Sequence, residues 1–266
     1  EILEKNTFDL VMHFAGLVKV EESIQFPDKY NLYNIEKAKI FLQCCFENGL
    51  SKVIFSSTAG IYGKKEKNMN VKEADELKPS NPYAQTKLEV EKYLTSLTLK
   101  KKISCIILRY FNVAGADKNK RSGLTSVNSN NLIKVICEAA LKKRKKVIIN
   151  GDNYETKDGT PIRDFIHVSD LAEMHILAAQ DIYTNNNSGI FNCGYGEGYS
   201  VKEVIEEMTK ILNNKLSYEI GQRRENDIPY SVADITKFKE KFNWKPKYNN
   251  LNYILTSALE WEKTLK

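Results

Sequence analysis

The sequence predicts an α/β protein, a doubly wound parallel sheet carrying a smaller α/β lobe. Near-continuous apolar runs at 8–16 (FDLVMHFAG), 52–58 (KVIFSST) and 104–112 (SCIILRYFN) read as strands buried on both faces. Helical stretches separate them, at 34–49 and from residue 81 onward. Strand–helix–strand–helix–strand with buried strands implies right-handed crossovers and one parallel sheet.

Taken in order, the first strand ends in small residues, Ala15 and Gly16, and the helix after it has Gly49 as its C-cap candidate. The next helix opens at NPYAQTKLEVEKYL, where Asn81 suits the N-cap and Pro82 the first helical position. Tyr83, Lys87, Val90, Leu94 and Leu97 then share one stripe of that helix, the face a helix buries. Past residue 112 the pattern loosens. A helix is predicted over about 131–144, short strands near 147–150 and 163–168, and a helix over 169–183 capped by Ser169. A strand at 189–194, a helix at 200–212 and helical stretches near 234–242 and 250–264 complete the chain. The expected division is a first domain at 1–112 and a second lobe at 113–266, with a segment at about 163–183 returning to the first domain.

Composition narrows the function classes. The 266 residues are 42% hydrophobic and 28% charged, enough to bury a substantial core. Net charge is +6, and the main basic cluster is LKKRKKVI at 141–148. It reads either as a nucleic-acid patch or as cations complementing the C-terminal dipole of the helix from Asn131. Without an aromatic stacking platform beside it, no nucleic-acid partner is expected. No apolar run reaches the ~20 residues that span a bilayer, so no membrane partner is expected either. Five cysteines without a C-x-x-C pair point to reduced thiols and the cytoplasm. Three scattered histidines offer no metal-ligand spacing.

Open parallel sheets bind ligands beyond the C-terminal ends of their strands. Those ends here are Ala15–Gly16, Ser57–Thr58 and Tyr110–Asn112, and the helix bearing Tyr83 and Lys87 leaves from the same edge. Lys87 can be read as a lysine snorkelling at the edge of the core. It can also be read as a cation that tunes a phenol. Bringing a tyrosine from its ordinary value near 10 into use near neutral pH takes about 4 kcal/mol. One ammonium at ~4 Å supplies about that at an effective dielectric of ~20. Thr58, Tyr83 and Lys87 would then remove a proton from a sugar or alcohol hydroxyl while hydride leaves the same carbon.

SSTAGIYG at 56–63 followed by YAQTK at 83–87 resembles the extended short-chain dehydrogenase/reductase family. HFAGL (13–17), DGTPIRDFIHVSDLA (158–172) and RREND (223–227) narrow the resemblance to its branch that epimerises nucleotide sugars. The resemblance implies a Rossmann-like domain with tightly bound NAD and a lobe that holds a UDP-sugar. It implies interconversion of UDP-glucose and UDP-galactose by oxidation at C4 and re-reduction on the opposite face. It makes Thr58, Tyr83 and Lys87 catalytic, and adds Phe14, Ala15, Gly16, Leu17, Val18 and Phe111 to them as cofactor contacts. Asn112, Asn131, Arg163, Arg224, Asp227 and Ser231 become substrate contacts, although either arginine taken alone reads as a salt-bridge former. The small Ser231 leaves room for an N-acetyl group, so N-acetylated UDP-hexosamines are expected as well. Helices at 34–49 and 81–100 are expected to pair in a homodimer.

The rivals are a nucleotide-sugar dehydratase or decarboxylase on the same fold, and a non-catalytic nucleotide-binding protein. Ala59–Gly60 after Thr58 leave no carboxylate pair for dehydration. The Gly-rich turn that usually holds the pyrophosphate has no counterpart in these residues. The chain is therefore expected to lack about 60 residues of βαβ structure, to bind NAD poorly by itself and to expose apolar surface at a sheet edge.

Overall fold

The computed structural model of the chain describes residues 1–65, 69–127, 129–224 and 227–265. Its elements begin with α1 (Ile2–Lys5), β1 (Val11–His13), α2 (Val20–Gln25) and α3 (Pro27–Tyr30). A π-helical stretch (Asn31–Glu36) runs into α4 (Lys37–Glu47), followed by β2 (Lys52–Thr58), a 3-10 turn (Ala59–Tyr62) and α5 (Pro82–Leu99). Next come β3 (Ser104–Tyr110), β4 (Asn112–Ala114), α6 (Leu132–Ala140), β5 (Val147–Asn150), β6 (Ile162–Arg163) and β7 (Phe165–His167). Then follow α7 (Val168–Asn185), β8 (Gly189–Cys193), β9 (Tyr199–Ser200), α8 (Val201–Leu212) and β10 (Tyr218–Gly221). The last are β11 (Tyr230–Ser231), α9 (Thr236–Phe242) and α10 (Leu251–Glu262).

The chain forms two compact units. The first comprises 1–64, 72–110 and 174–193; the second comprises 65–71, 111–173 and 194–266. The returning segment is therefore 174–193, where the sequence pattern placed it at about 163–183. The reason is strand pairing. Within the second unit β6 pairs with β9 and β11, and β7 with β4, whereas β8 adds to the sheet of the first unit. The apolar run at 104–112 also divides: β3 stops at Tyr110, and Asn112 opens a strand paired with Phe165.

The first unit is built on a parallel sheet of order β1-β2-β3-β8. Its register places His13 beside Phe55, Thr58 beside Tyr110 and Tyr110 beside Cys193, so the strands end along one edge. Alternate side chains of β2 and β3 (Val53, Phe55, Cys105, Ile107) pack with Ala38 and Leu42 of α4 and Val90 and Leu94 of α5. Helix α5 follows its sequence signals: Asn81 Oδ1 accepts the Ala84 N–H at 2.9 Å, and Pro82 stands in the first turn. Gly49 takes φ +83° just past the end of α4, as its reading as a helix terminator requires. On the edge strand, Met12 is partly exposed, as are Phe14 just beyond it and Phe41 of α4.

The second unit is held by aspartates from the stretch 158–172. The buried Asp164 carboxylate accepts the backbone N–H groups of Tyr195, Gly196 and Ala233 at 2.8, 2.9 and 3.2 Å. A Cβ on residue 194 would lie 2.5 Å from Asp164 Oδ2, which is why glycine stands there. Asp170 accepts the Tyr195 hydroxyl at 2.6 Å and the N–H groups of Lys247 and Tyr248 at 3.1 and 2.9 Å. Asp158 binds Thr160 and Ser200. The N–H of Ser169 donates to His167 Nδ1 at 3.1 Å, so the imidazole, rather than the expected Ser169 hydroxyl, serves the start of α7. Helix α6 is capped by Asn131 and ends at Ala140, short of the predicted 144. Three cations of the basic cluster are paired: Lys143 with Glu262, Arg144 with Glu138 and Lys146 with Glu219.

Because the Asn81 cap fixes the first turn of α5, Asn81→Ala is expected to destabilise the protein by about 1 kcal/mol. Urea unfolding reads this as a lower midpoint with an unchanged slope.

Candidate active site

In the first unit, Thr58 closes β2, and its Oγ1 accepts the Gly60 N–H at 3.2 Å to start the 3-10 turn. Tyr83 lies in the opening turn of α5, its N–H donating to Ser23 Oγ at 3.1 Å and its carbonyl accepting from Thr86 Oγ1 at 2.7 Å. Lys87, one turn on, is 4% exposed. Its Nζ donates to Ser56 O at 2.9 Å and lies 5.0 Å from the centroid of the Phe55 ring. The lysine is therefore buried rather than snorkelling. Thr58 is hydrogen-bonded to the Tyr83 side chain, so strand end and helix meet at the phenol.

The electrostatics differ from the sequence expectation. Burial raises the Tyr83 phenol above its ordinary value, and the Thr58 hydrogen bond works against that rise. Burial also pulls the Lys87 ammonium down to about 8, opposed by the Glu91 carboxylate. In the bare chain desolvation outweighs any tuning of the phenol by the ammonium. The reason is that the same burial that brings the two groups together removes the water that would stabilise either charge.

The segment after β1 lies beside this group. Leu17 donates its N–H to Asn34 Oδ1 at 2.7 Å, and Asn34 Nδ2 donates to Leu17 O at 2.9 Å and to Thr86 Oγ1 at 3.2 Å. Asn34 therefore ties the segment to α5. The sequence reading missed it; a lone asparagine inside an otherwise apolar-periodic helix was the available signal. A Cβ on Gly16 would lie 3.1 Å from Asn34 Oδ1 and 3.7 Å from Lys87 Nζ, so the bare backbone passes close to the ammonium. Phe14 and Val18 are exposed, Ala15 likewise, and the Phe14 ring lies 5.1 Å from that of His175. Among the described residues, His13 Nδ1 and Ser57 Oγ are buried without a hydrogen-bond partner. An exposed apolar lip, a side-chain-free approach and unpartnered polar atoms suit a flat ligand with polar edges, such as a dinucleotide.

In the second unit, Arg163 on β6 donates from Nη2 to Asp227 Oδ1 at 2.7 Å and from Nη1 to Ile162 O at 2.9 Å. Tyr154 donates to the other Asp227 oxygen at 3.2 Å and to Asn150 O at 3.1 Å. Its ring lies 3.9 Å from the Arg223 guanidinium. Ser231 stands beside Arg163 in register across β11 and β6. Arg163, Asp227 and Ser231 are thus brought together, and Tyr154 joins them as a residue the sequence reading missed. Asn131 serves as the cap of α6, its Oδ1 accepting the Lys134 N–H at 3.2 Å. Asn112 donates its N–H to Asp164 O at 2.9 Å, Phe111 is buried, and Arg224 is exposed. Residues 225 and 226 of the RREND motif lie outside the described residues. Burial lowers the Arg163 guanidinium from its ordinary value, and the Asp227 charge opposes this.

Residues 1–194 match the NAD dependent epimerase/dehydratase family. A UDP-glucose 4-epimerase of Azospirillum brasilense is 40% identical over 265 residues, covering 100% of this chain and 76% of the relative. A UDP-glucose 4-epimerase of Stenotrophomonas maltophila, solved with bound NAD and formylated UDP-arabinopyranose, superposes with a TM-score of 0.95 at 32% identity, covering 99% of this chain and 78% of that one. The UDP-Glc/GlcNAc 4-epimerase of Campylobacter jejuni gives a TM-score of 0.82 at 41% identity, covering 99% and 80%. Match length, identity and superposition agree with the buried tyrosine–lysine pair: the chain belongs to the NAD dependent epimerase/dehydratase family.

Proposed function

We propose that this protein interconverts UDP-glucose and UDP-galactose at C4, using tightly bound NAD. The observation that carries this reading is the Thr58–Tyr83–Lys87 group at the strand ends of the first unit, in a chain whose relatives are UDP-glucose 4-epimerases. When bound, NAD would supply the hydride acceptor and donor for C4 of the sugar. Phe14, Ala15, Gly16, Leu17, Val18 and Phe111 would hold it together with Thr58, Tyr83 and Lys87. Tyr83 takes the C4 hydroxyl proton as hydride leaves and gives it back when hydride returns. Thr58 stabilises the phenolate through its hydrogen bond. Lys87, fixed on Ser56 O, keeps a positive charge beside the reacting groups.

Arg163 and Arg224 supply guanidinium forks for the diphosphate. Asp227 accepts from ribose hydroxyls, with Asn112 and Asn131 as further polar contacts. Tight binding at the nucleotide and loose binding at the sugar let the oxidised hexose turn while it stays anchored. Ser231, half-buried beside Arg163, leaves space for an N-acetyl group. Dehydration is disfavoured by Ala59 and Gly60 after Thr58.

We also propose a homodimer in the cytoplasm. Helix α4 presents Ile40 at 69% and Phe41 at 47% exposure, an apolar face suited to a helical partner. All five cysteines are free thiols, which suits a reducing compartment. Among the described residues no helix is long and apolar enough to cross a membrane. Sedimentation equilibrium at twice the chain mass is the expected outcome; a monomer at micromolar concentration would contradict it.

Incubation with UDP-galactose and no added reductant is expected to yield UDP-glucose. Tyr83→Phe is expected to lower kcat by about 10²- to 10⁴-fold with little change in KM. Activity is expected to decline as pH rises through about 8, because Lys87 loses its charge there. Ser231→Tyr is expected to reduce turnover of UDP-N-acetylglucosamine more than that of UDP-glucose, read as the ratio of the two kcat/KM values.

A further inference from the structure

One buried ionic network of the first unit has no part in the chemistry above. Glu91 and Arg109 are each 2% exposed. Arg109 Nη2 donates to Glu91 Oε2 at 2.7 Å and Nε donates to Oε1 at 3.1 Å, a forked pair. Arg109 Nη1 donates to the Tyr62 hydroxyl at 2.9 Å and to Glu73 O at 3.1 Å. Tyr62 donates in turn to Asn192 Oδ1 at 2.6 Å, and the Asn192 N–H donates to Glu73 Oε1 at 2.8 Å.

The placement of these residues gives the network a purpose. Glu91 follows Tyr83 and Lys87 at four-residue intervals on α5, so the three share one face. Tyr62 ends the 3-10 turn that Thr58 starts. Arg109 precedes Tyr110 on β3, and Asn192 lies opposite Arg109 on β8. Each element that supplies a member of the catalytic group is therefore tied to the same guanidinium. A buried ion pair contributes little net stability compared with apolar packing of the same volume, so stability alone gives no reason for it. Three partners converging on one Arg, the Glu91 carboxylate, the Tyr62 hydroxyl and the Glu73 carbonyl, fix relative position instead.

Resting on the functional reading above, we propose that Arg109 and Glu91 are positioning residues, which hold Thr58, Tyr83 and Lys87 in register and set the electric field in which the last two titrate. The groups facing Lys87 are Tyr83 and Glu91 on its own helix, Ser56 and Phe55 on β2, His13 on β1 and the Gly16–Asn34 contact. Glu91 is the one carboxylate in this set. Its charge opposes the burial of the ammonium, and Arg109 balances that charge on the far side.

The test uses the whole protein, with UDP-galactose as substrate. Glu91→Gln keeps the shape and removes the charge. Both limbs of its kcat–pH profile are expected to move toward acid by about one pH unit, because removing a negative charge favours loss of a proton from each neighbouring group. Arg109→Lys, which keeps a charge without the fork, is expected to lose kcat by about tenfold or more while KM changes by less than about twofold. Tyr62→Phe removes one hydroxyl, leaves the ion pair in place and guards against a failure of the first two to fold. It is expected to lower kcat about threefold at unchanged KM. A folded Glu91→Gln protein with the parent pH profile overturns the electrostatic part. Parent kcat in Tyr62→Phe, whatever its melting temperature, overturns the positioning part. If the unsubstituted protein does not convert UDP-galactose, the functional reading fails instead, and the two failures are separated.

Discussion

The structure turns on a cation taken out of water. Lys87 sits 4% exposed under the strand ends, with the Ser56 carbonyl as its anchor at 2.9 Å. Leaving such a charge unpaired in the interior is expensive, and the usual response is loss of the proton. Here the response is partial: the ammonium is drawn down to about 8, near neutrality rather than far below it. What holds it there is the carboxylate of Glu91 one turn away, itself bound to Arg109. Backbone dipole, carboxylate and guanidinium form a graded set of charges, on and beside the helix that also carries Tyr83.

That arrangement explains why burial and reactivity coexist. Desolvation raises Tyr83 and lowers Lys87, so in the bare chain both groups lean toward their neutral forms. A dry site is also where a bound cation or a shifted dipole has the most effect. The group proposed as catalytic is thus poised, with Thr58 already hydrogen-bonded to the phenol. In the second unit the division of labour runs the other way. Asp158, Asp164 and Asp170 are consumed by backbone N–H groups, hydroxyls and a tyrosine, while Arg163 from the same stretch reaches Asp227. Three of the most recognisable letters in that motif are structural, and the fourth, Arg163, is the one proposed above to bind substrate.

Much of the first unit was legible because its signals are local. Asn81 and Pro82 start a helix wherever they meet an apolar period, and the periodic stripe from Tyr83 to Leu97 had to face the core. Long apolar runs made β2 and β3 readable. The two-residue strands β9 and β11 were not, since each is defined by a partner far away in sequence and has no pattern of its own. Arg109 was hidden within an apolar run, and Asn34 within a helix; both are polar side chains whose partners, Glu91 and Leu17, are remote in sequence. Tyr154 escaped for the same reason.

Residue order alone therefore decided the alternation of strands and helices, the caps, and the presence of a Thr, Tyr and Lys beside the strand ends, because these follow from periodicity and from steric rules acting over a few residues. Tertiary structure decided which charges share the interior and how far each is drawn from its ordinary value. Those quantities depend on the dielectric and on distances between groups that the chain brings together from 18 to 130 positions apart, and neither is written in any local stretch.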